Sequence, residues 1–164
     1  MPSLVGSEMC IRDSADPMDC FIAGLLHDFG KVVFAQFMPE EFKAALQMSA
    51  ADQSSLHAAL QTTIGADHAV VGAMLVEKWR FAPHLVATIR HQRVDNLQDT
   101  DMIACVFAAN QISKKQNYGF GGNHRVEELP PAFQKRLGGT LDGVIASMGN
   151  LDNLFQEAQV FAKL

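Results

Sequence analysis

Three ionisable side chains interrupt an otherwise apolar stretch between Phe21 and Phe34: His27 and Asp28 side by side, then Lys31 three residues past the aspartate. An imidazole beside a carboxylate can help to hold a divalent ion, or the two can satisfy one another by hydrogen bonding. Around them the apolar residues fall at 21, 22, 25, 26, 29, 32 and 33, the spacing of a helix with a wide buried stripe. Gly24 and Gly30 lie in the same stretch, and each costs about 1 kcal/mol relative to alanine inside a helix. Close approach of a second helix or of a ligand is the usual compensation. Lys31 shares a helical face with His27 and Asp28. Asp28 can therefore accept from His27, from Lys31 or from the more distant His68. A polar network without metal is favoured on these grounds, because an unpartnered buried carboxylate is costly.

The elements that must position these groups are helices. Asp16-Pro17-Met18-Asp19 carries an N-cap residue, a proline suited to the first helical position and a first-turn acid, so a helix is expected from there to about Phe37. Pro39 opens a second helix to about Met48. A third runs from about Gln53 to Ile64, preceded by capping residues in Ser49 to Asp52 and ended by Gly65. Asp67 caps His68 to Trp79, which is apolar almost all round and hence central. A helix from about His84 to His91 leads to a polar loop, Gln92 to Asp99. Thr100 or Asp101 caps a second nearly all-apolar helix, from Met102 to Ile112. A Gly-rich connection with Gly119 to Gly122 follows; with no strand before it, it is read as a flexible link rather than a phosphate loop. Pro130-Pro131 opens a short helix stopped by Gly138-Gly139. Thr140 starts a terminal helix, broken near Gly149, that reaches Leu164. The fold class is all-α, a multi-helix bundle of about seven helices.

Composition narrows the function. The chain has 164 residues, 48% of them hydrophobic and 19% charged, which suits one globular domain with a proper core. A formal charge of −5, with no run of Lys or Arg, argues against nucleic acid or an anionic membrane as partner. No apolar run is read as long enough to cross a bilayer. Cys10, Cys20 and Cys105 show no paired spacing and are read as reduced thiols of a cytoplasmic protein. Residues 1–15 look foreign to the rest. They resemble a translated sequencing adaptor, with a disordered native tail as the alternative, and are set aside in favour of a partial domain at 16–164.

Two separated motifs, Ala23-Gly-Leu-Leu-His27-Asp28-Phe-Gly30-Lys31-Val and Gly65-Ala-Asp67-His68-Ala-Val-Val-Gly72-Ala-Met-Leu, followed by Trp79, resemble the HDOD family over about residues 16–115. That family is a branch of the HD superfamily of metal-dependent phosphohydrolases. The resemblance implies an HD-like bundle, of which this chain is the C-terminal part, with the helices before the doublet missing. Loss of those helices is expected to uncover apolar surface on the stretch 21–34. It also implies a bacterial signalling or regulatory module, often without hydrolase activity.

An active relative would need an upstream histidine, the doublet and a later aspartate around a divalent ion (Mn, Fe or Zn) that activates water. His27 and Asp28 match two of those ligands, and His68 matches a residue that helps to bind a second metal in HD-GYP relatives. No histidine precedes His27. Asn110 stands where active relatives have aspartate. The paired histidines of HD-GYP proteins are reduced to His91 beside Gln92, and no Gly-Tyr-Pro stretch occurs. The resemblance thus favours a non-catalytic module, without a required cofactor, that binds a protein partner or a nucleotide-type ligand. The rival is a metal-dependent phosphohydrolase acting on a nucleotide or cyclic dinucleotide, with Lys31 neutralising a phosphate. His57, His84 and His124 are expected at the surface, Cys105 in the core, and Trp79 closing the core.

Overall fold

Helix starts that the sequence marks with a capping side chain are, with one exception, helix starts in the structure. The computed structural model describes residues 15–92, 100–118, 122, 125–153 and 156, and among these the chain is all-α, with nine helices and no strand. Asp16 accepts from the backbone of Met18 at 2.7 Å and caps α1 (Pro17–Leu26). After α2 (Phe29–Phe37) comes α3 (Pro39–Ala51), both helices preceding α4 (Leu56–Thr63). Asp67 caps α5 (His68–Lys78) through the amide of Ala69 at 2.9 Å. α6 (Pro83–Arg90) begins on a proline, and Thr100 rather than Asp101 caps α7 (Asp101–Lys115). α8 (Pro131–Leu137) ends on Gly138 in the left-handed region, φ 79°, and α9 (Leu141–Met148) starts under the Thr140 hydroxyl.

Two boundaries differ from expectation. The single helix expected from Pro17 to Phe37 is two, parted by a turn at His27 and Asp28. Asp28 adopts φ −99°, ψ 6°, the sparsely populated bridge region, and leaves the start of α2 without a side-chain cap because its carboxylate is engaged elsewhere. The third helix begins at Leu56, not Gln53, since Ser55 and not a residue of 49–52 supplies the capping oxygen, to Ala58 at 3.2 Å. The Gln92–Asp99 loop beyond Gln92, most of Gly119–Gly122 and His124 lie outside the described residues, as does the expected helical end at 157–164.

Apolar side chains gather in several clusters. The largest joins α7 to α8 and α9 through Ile103, Phe107, Ile112, Phe133 and Leu141, and Cys105 is buried within it as expected. Cys20 also lies there but is disulfide-bonded, against the expectation of reduced thiols; pairing depends on approach of Cα atoms to within about 7 Å, which spacing along the chain does not reveal. Cys10 lies outside the described residues. A second cluster under α3 and α4 centres on Phe34, Leu56 and Leu60. Trp79 does not close the core: it is 48% exposed and meets Phe29 edge-on, ring centroids 5.3 Å apart. The run Pro17–Phe37, 21 residues, is long and apolar enough to cross a membrane by length and composition alone, contrary to the reading above, as core helices of other proteins also are.

The crossing of α2 and α5 positions everything discussed below. A Cβ on Gly30 would lie 1.9 Å from the His68 carbonyl oxygen and 3.0 Å from the Gly72 nitrogen; one on Gly72 would lie 3.1 Å from the Gly30 nitrogen. The two backbones touch where neither residue has a side chain. Gly30→Ala should therefore destabilise the fold by more than the roughly 1–3 kcal/mol of overpacking that side-chain shifts can relieve, because both obstacles are backbone. Gly139→Ala, whose Cβ would find its nearest neighbour at 3.9 Å, should change little. Urea denaturation midpoints compare the two, and equal midpoints would contradict the close crossing.

Candidate functional site

The turn between α1 and α2 points His27 inward. Its Nδ1 lies 2.7 Å from the Gly24 carbonyl, which can only accept, so Nδ1 carries the proton and Nε2 a lone pair. That Nε2 is buried without a hydrogen-bond partner and stands 3.4 Å from Asp28 Oδ2. From across the glycine contact, the first residue of α5 contributes His68, whose Nε2 is 3.8 Å from Asp28 Oδ1. His68 Nδ1 lies 3.4 Å from Asp67 Oδ1, and Asp67 Oδ2 is 3.4 Å from His57 Nδ1. His68 thus has a carboxylate beside each ring nitrogen, Asp67 at Nδ1 and Asp28 at Nε2. One turn into α2, Lys31 returns and sets its Nζ 2.7 Å from Asp28 Oδ1.

Electrostatics follow from that arrangement. Burial pushes the Asp28 carboxyl up, but His27, Lys31 and His68 together outweigh it and hold the group well below the usual carboxylate range. Burial lowers the pKa of His27, with Asp28 opposing. Burial and then the charge of Lys31 lower that of His68 to about 4, against Asp28 and Asp67. The cluster at neutral pH is thus one carboxylate, one ammonium and two neutral imidazoles.

The structure brings together His27, Asp28, Lys31 and His68. No described hydrogen bond or ion pair joins His91 or Asn110 to them. His91 lines a groove of about 340 Å³ between α5 and α6, together with Glu77, Phe81, Val86 and Arg90. Its neighbour Gln92 reaches the doublet instead: Nε2 donates to the His27 carbonyl at 2.6 Å and to that of Ile89 at 3.1 Å, gripping backbone. Asn110 is half-buried on α7, and no described hydrogen bond or ion pair joins it to the doublet. Lys114, one helical turn beyond Asn110 on α7, interacts electrostatically with Lys31 and Asp28. Its pKa is lowered by burial and by Lys31, while Glu127 and Asp28 raise it. Lys114 was missed in the sequence; its i+4 spacing from Asn110 was the available signal. His57, expected at the surface, is partly buried against Asp67, whereas His84 is exposed, with Nε2 2.7 Å from Asp19 Oδ2.

Among the described residues, no three His, Cys, Asp or Glu side chains form a group that could hold a metal ion. The orphaned Nε2 of His27 suits a cation, but the ammonium of Lys31 already lies on Asp28. As arranged, the residues do not fit a divalent ion.

An all-α bundle whose His-Asp doublet sits at a helix junction and meets a histidine from a crossing helix is an HD-type domain. The chain belongs to the HDOD domain family, whose sequence model matches residues 5–94. That match begins within the tail set aside above and ends before α7. A crystal structure described as an HDOD domain protein with unknown function, from Geobacter sulfurreducens, aligns over 96% of this chain and 58% of its own, with 21% identity and a TM-score of 0.77. Another from Shewanella amazonensis SB2B, described as a "Putative phosphohydrolase", aligns over 92% and 56%, with 20% identity and a TM-score of 0.68. An uncharacterized protein of Treponema pallidum (strain Nichols) is 32% identical over 86 residues, 52% of this chain. The chain spans only 17% of that relative and under two thirds of either solved chain.

Neutral, buried imidazoles make stability depend on pH. Each takes up its proton less readily folded than unfolded, so the unfolded chain binds more protons as pH falls. Stability should be level above about 6.5 and decline from there towards about 4, the range between the ordinary and the folded pKa of His68. The slope approaches about 1.4 kcal/mol per pH unit for each histidine. Urea melts across that range should show the decline, and His68→Gln should reduce it. An undiminished slope in that variant would remove His68 as a cause.

Proposed function

We propose that this chain is a non-catalytic HDOD module of a bacterial signalling pathway, acting in the cytoplasm by binding a protein partner or a small nucleotide-type ligand. One observation carries the reading: Asp28 is met by the Lys31 ammonium at 2.7 Å, where metal-assisted hydrolysis would need further lone-pair ligands. An ammonium neutralises the carboxylate but cannot activate a water. The exposed apolar side chains of Leu25, Val32 and Trp79, on the helices that carry the doublet and on the end of α5, support action through contacts with a partner. The charge of −5 supports a partner other than nucleic acid.

A second reading, a metal-dependent phosphohydrolase acting on a nucleotide or cyclic dinucleotide, draws on the unpartnered Nε2 of His27. Turnover separates the two. The purified chain should hydrolyse neither bis(p-nitrophenyl) phosphate nor a cyclic dinucleotide above background with Mn²⁺, Fe²⁺ or Zn²⁺, and Asp28→Asn should behave alike. Metal-dependent turnover that Asp28→Asn abolishes would overturn the non-catalytic reading.

A further inference from the structure

The misfit between the doublet and a divalent ion has an identifiable agent. His27 Nε2 and Asp28 Oδ2 lie 3.4 Å apart, and His68 Nε2 lies 3.8 Å from Asp28 Oδ1. Two donor atoms bound to one ion at about 2.0–2.2 Å stand roughly 3.4 Å apart in tetrahedral geometry. The Gly24 carbonyl directs the Nε2 lone pair of His27 at the carboxylate, so electron-rich groups face one another. Such a set repels itself unless positive charge lies among or beside it. Here that charge is Lys31, 2.7 Å from Asp28 Oδ1 and in the first turn of the helix that Asp28 immediately precedes.

We infer that Lys31 is an internal cation standing in for a metal, and that its ammonium is what keeps a divalent ion out of the His27–Asp28–His68 set. This rests on the non-catalytic reading and names the device behind it. Lys31 is only 17% exposed, so it cannot retreat into water without giving up Asp28, and the site is closed to metal by a side chain rather than by the loss of every ligand. Lys114 contributes more distant repulsion and a charge that Glu127 partly offsets. Its role is secondary.

The probe is Mn²⁺ alone, titrated calorimetrically and by electron paramagnetic resonance into the whole chain and its variants. The unaltered protein should bind weakly. Lys31→Met should bind on the order of 10–100-fold more tightly, the range in which groups beside metal ligands act. Adding Asp28→Asn to Lys31→Met should abolish the gain. Lys31→Met leaves Asp28 without its ammonium and can compromise folding, so Lys31→Gln, which keeps a donor but no charge, is measured beside it. Mn²⁺ should raise the melting temperature of either variant more than that of the unaltered chain. Unchanged affinity and melting in both Lys31 variants would overturn the inference while leaving the non-catalytic reading in place. So would tight Mn²⁺ binding by the unaltered chain, or a gain seen in Lys114→Met and not in Lys31→Met. Metal-dependent turnover by the unaltered chain would instead sink the non-catalytic reading.

Discussion

The contact between Gly30 and Gly72 is the constraint on which the rest depends. Asp28 lies two residues before one glycine and His68 one helical turn before the other, so the depth to which α2 and α5 interlock sets the distance between carboxylate and imidazole. Helices separated by side chains pack about 8–10 Å apart. Glycine on both sides lets the backbones touch, and only that approach brings His68 near a residue forty positions earlier in the chain. The cost of about 1 kcal/mol at a helical glycine is offset by packing that no larger residue permits.

Once the helices are this close, the polar groups have little freedom. The Gly24 carbonyl decides which nitrogen of His27 holds the proton, which leaves an electron pair directed at Asp28, while His68 stands between Asp67 and Asp28. In a metal enzyme, a second-sphere hydrogen bond to Nδ1 prepares the other nitrogen for the ion in this way. Here the same preparation ends on an ammonium. The histidines are neutral and buried, and the Asp28 carboxylate is met by Lys31, three residues on in the first turn of α2.

Much of this was legible in the sequence, and the exceptions share a cause. The two motifs, the capping residues Asp16, Asp67 and Thr140, and the shared face of His27, Asp28 and Lys31 follow from residue type and spacing, which report on a helix's own face, while His68 was singled out by the family resemblance. The demand of Gly30 for a close neighbour was readable too. What could not be read was the contact between elements distant in sequence. Lys114 comes from α7, beyond the range matched by the family, and its approach depends on how that helix packs. The pairing of His57 with Asp67, the exposure of Trp79 and the disulfide of Cys20 are likewise tertiary. The break at His27–Asp28 was hidden because both halves carry one continuous apolar stripe; the fault lies in the backbone at Asp28, and the pattern of side chains runs straight across it.

Stability alone does not account for such a cluster. A buried ion pair is often no better than well-packed apolar residues of the same volume, because desolvation cancels much of the Coulomb attraction. The Gly30–Gly72 contact itself fixes the register, since sliding either helix by a turn would put a side chain where the two backbones touch. The polar contacts divide in two. The Nδ1 hydrogen bond of His27 to Gly24 and the Asp28–Lys31 pair are local to their own segment. The Gln92 bridge to the His27 carbonyl and the approach of His68 to Asp28 tie that segment to the end of α6 and to α5. The glycines thus set how closely and at what register the helices cross, and the cross-helix polar contacts hold the turn at that crossing.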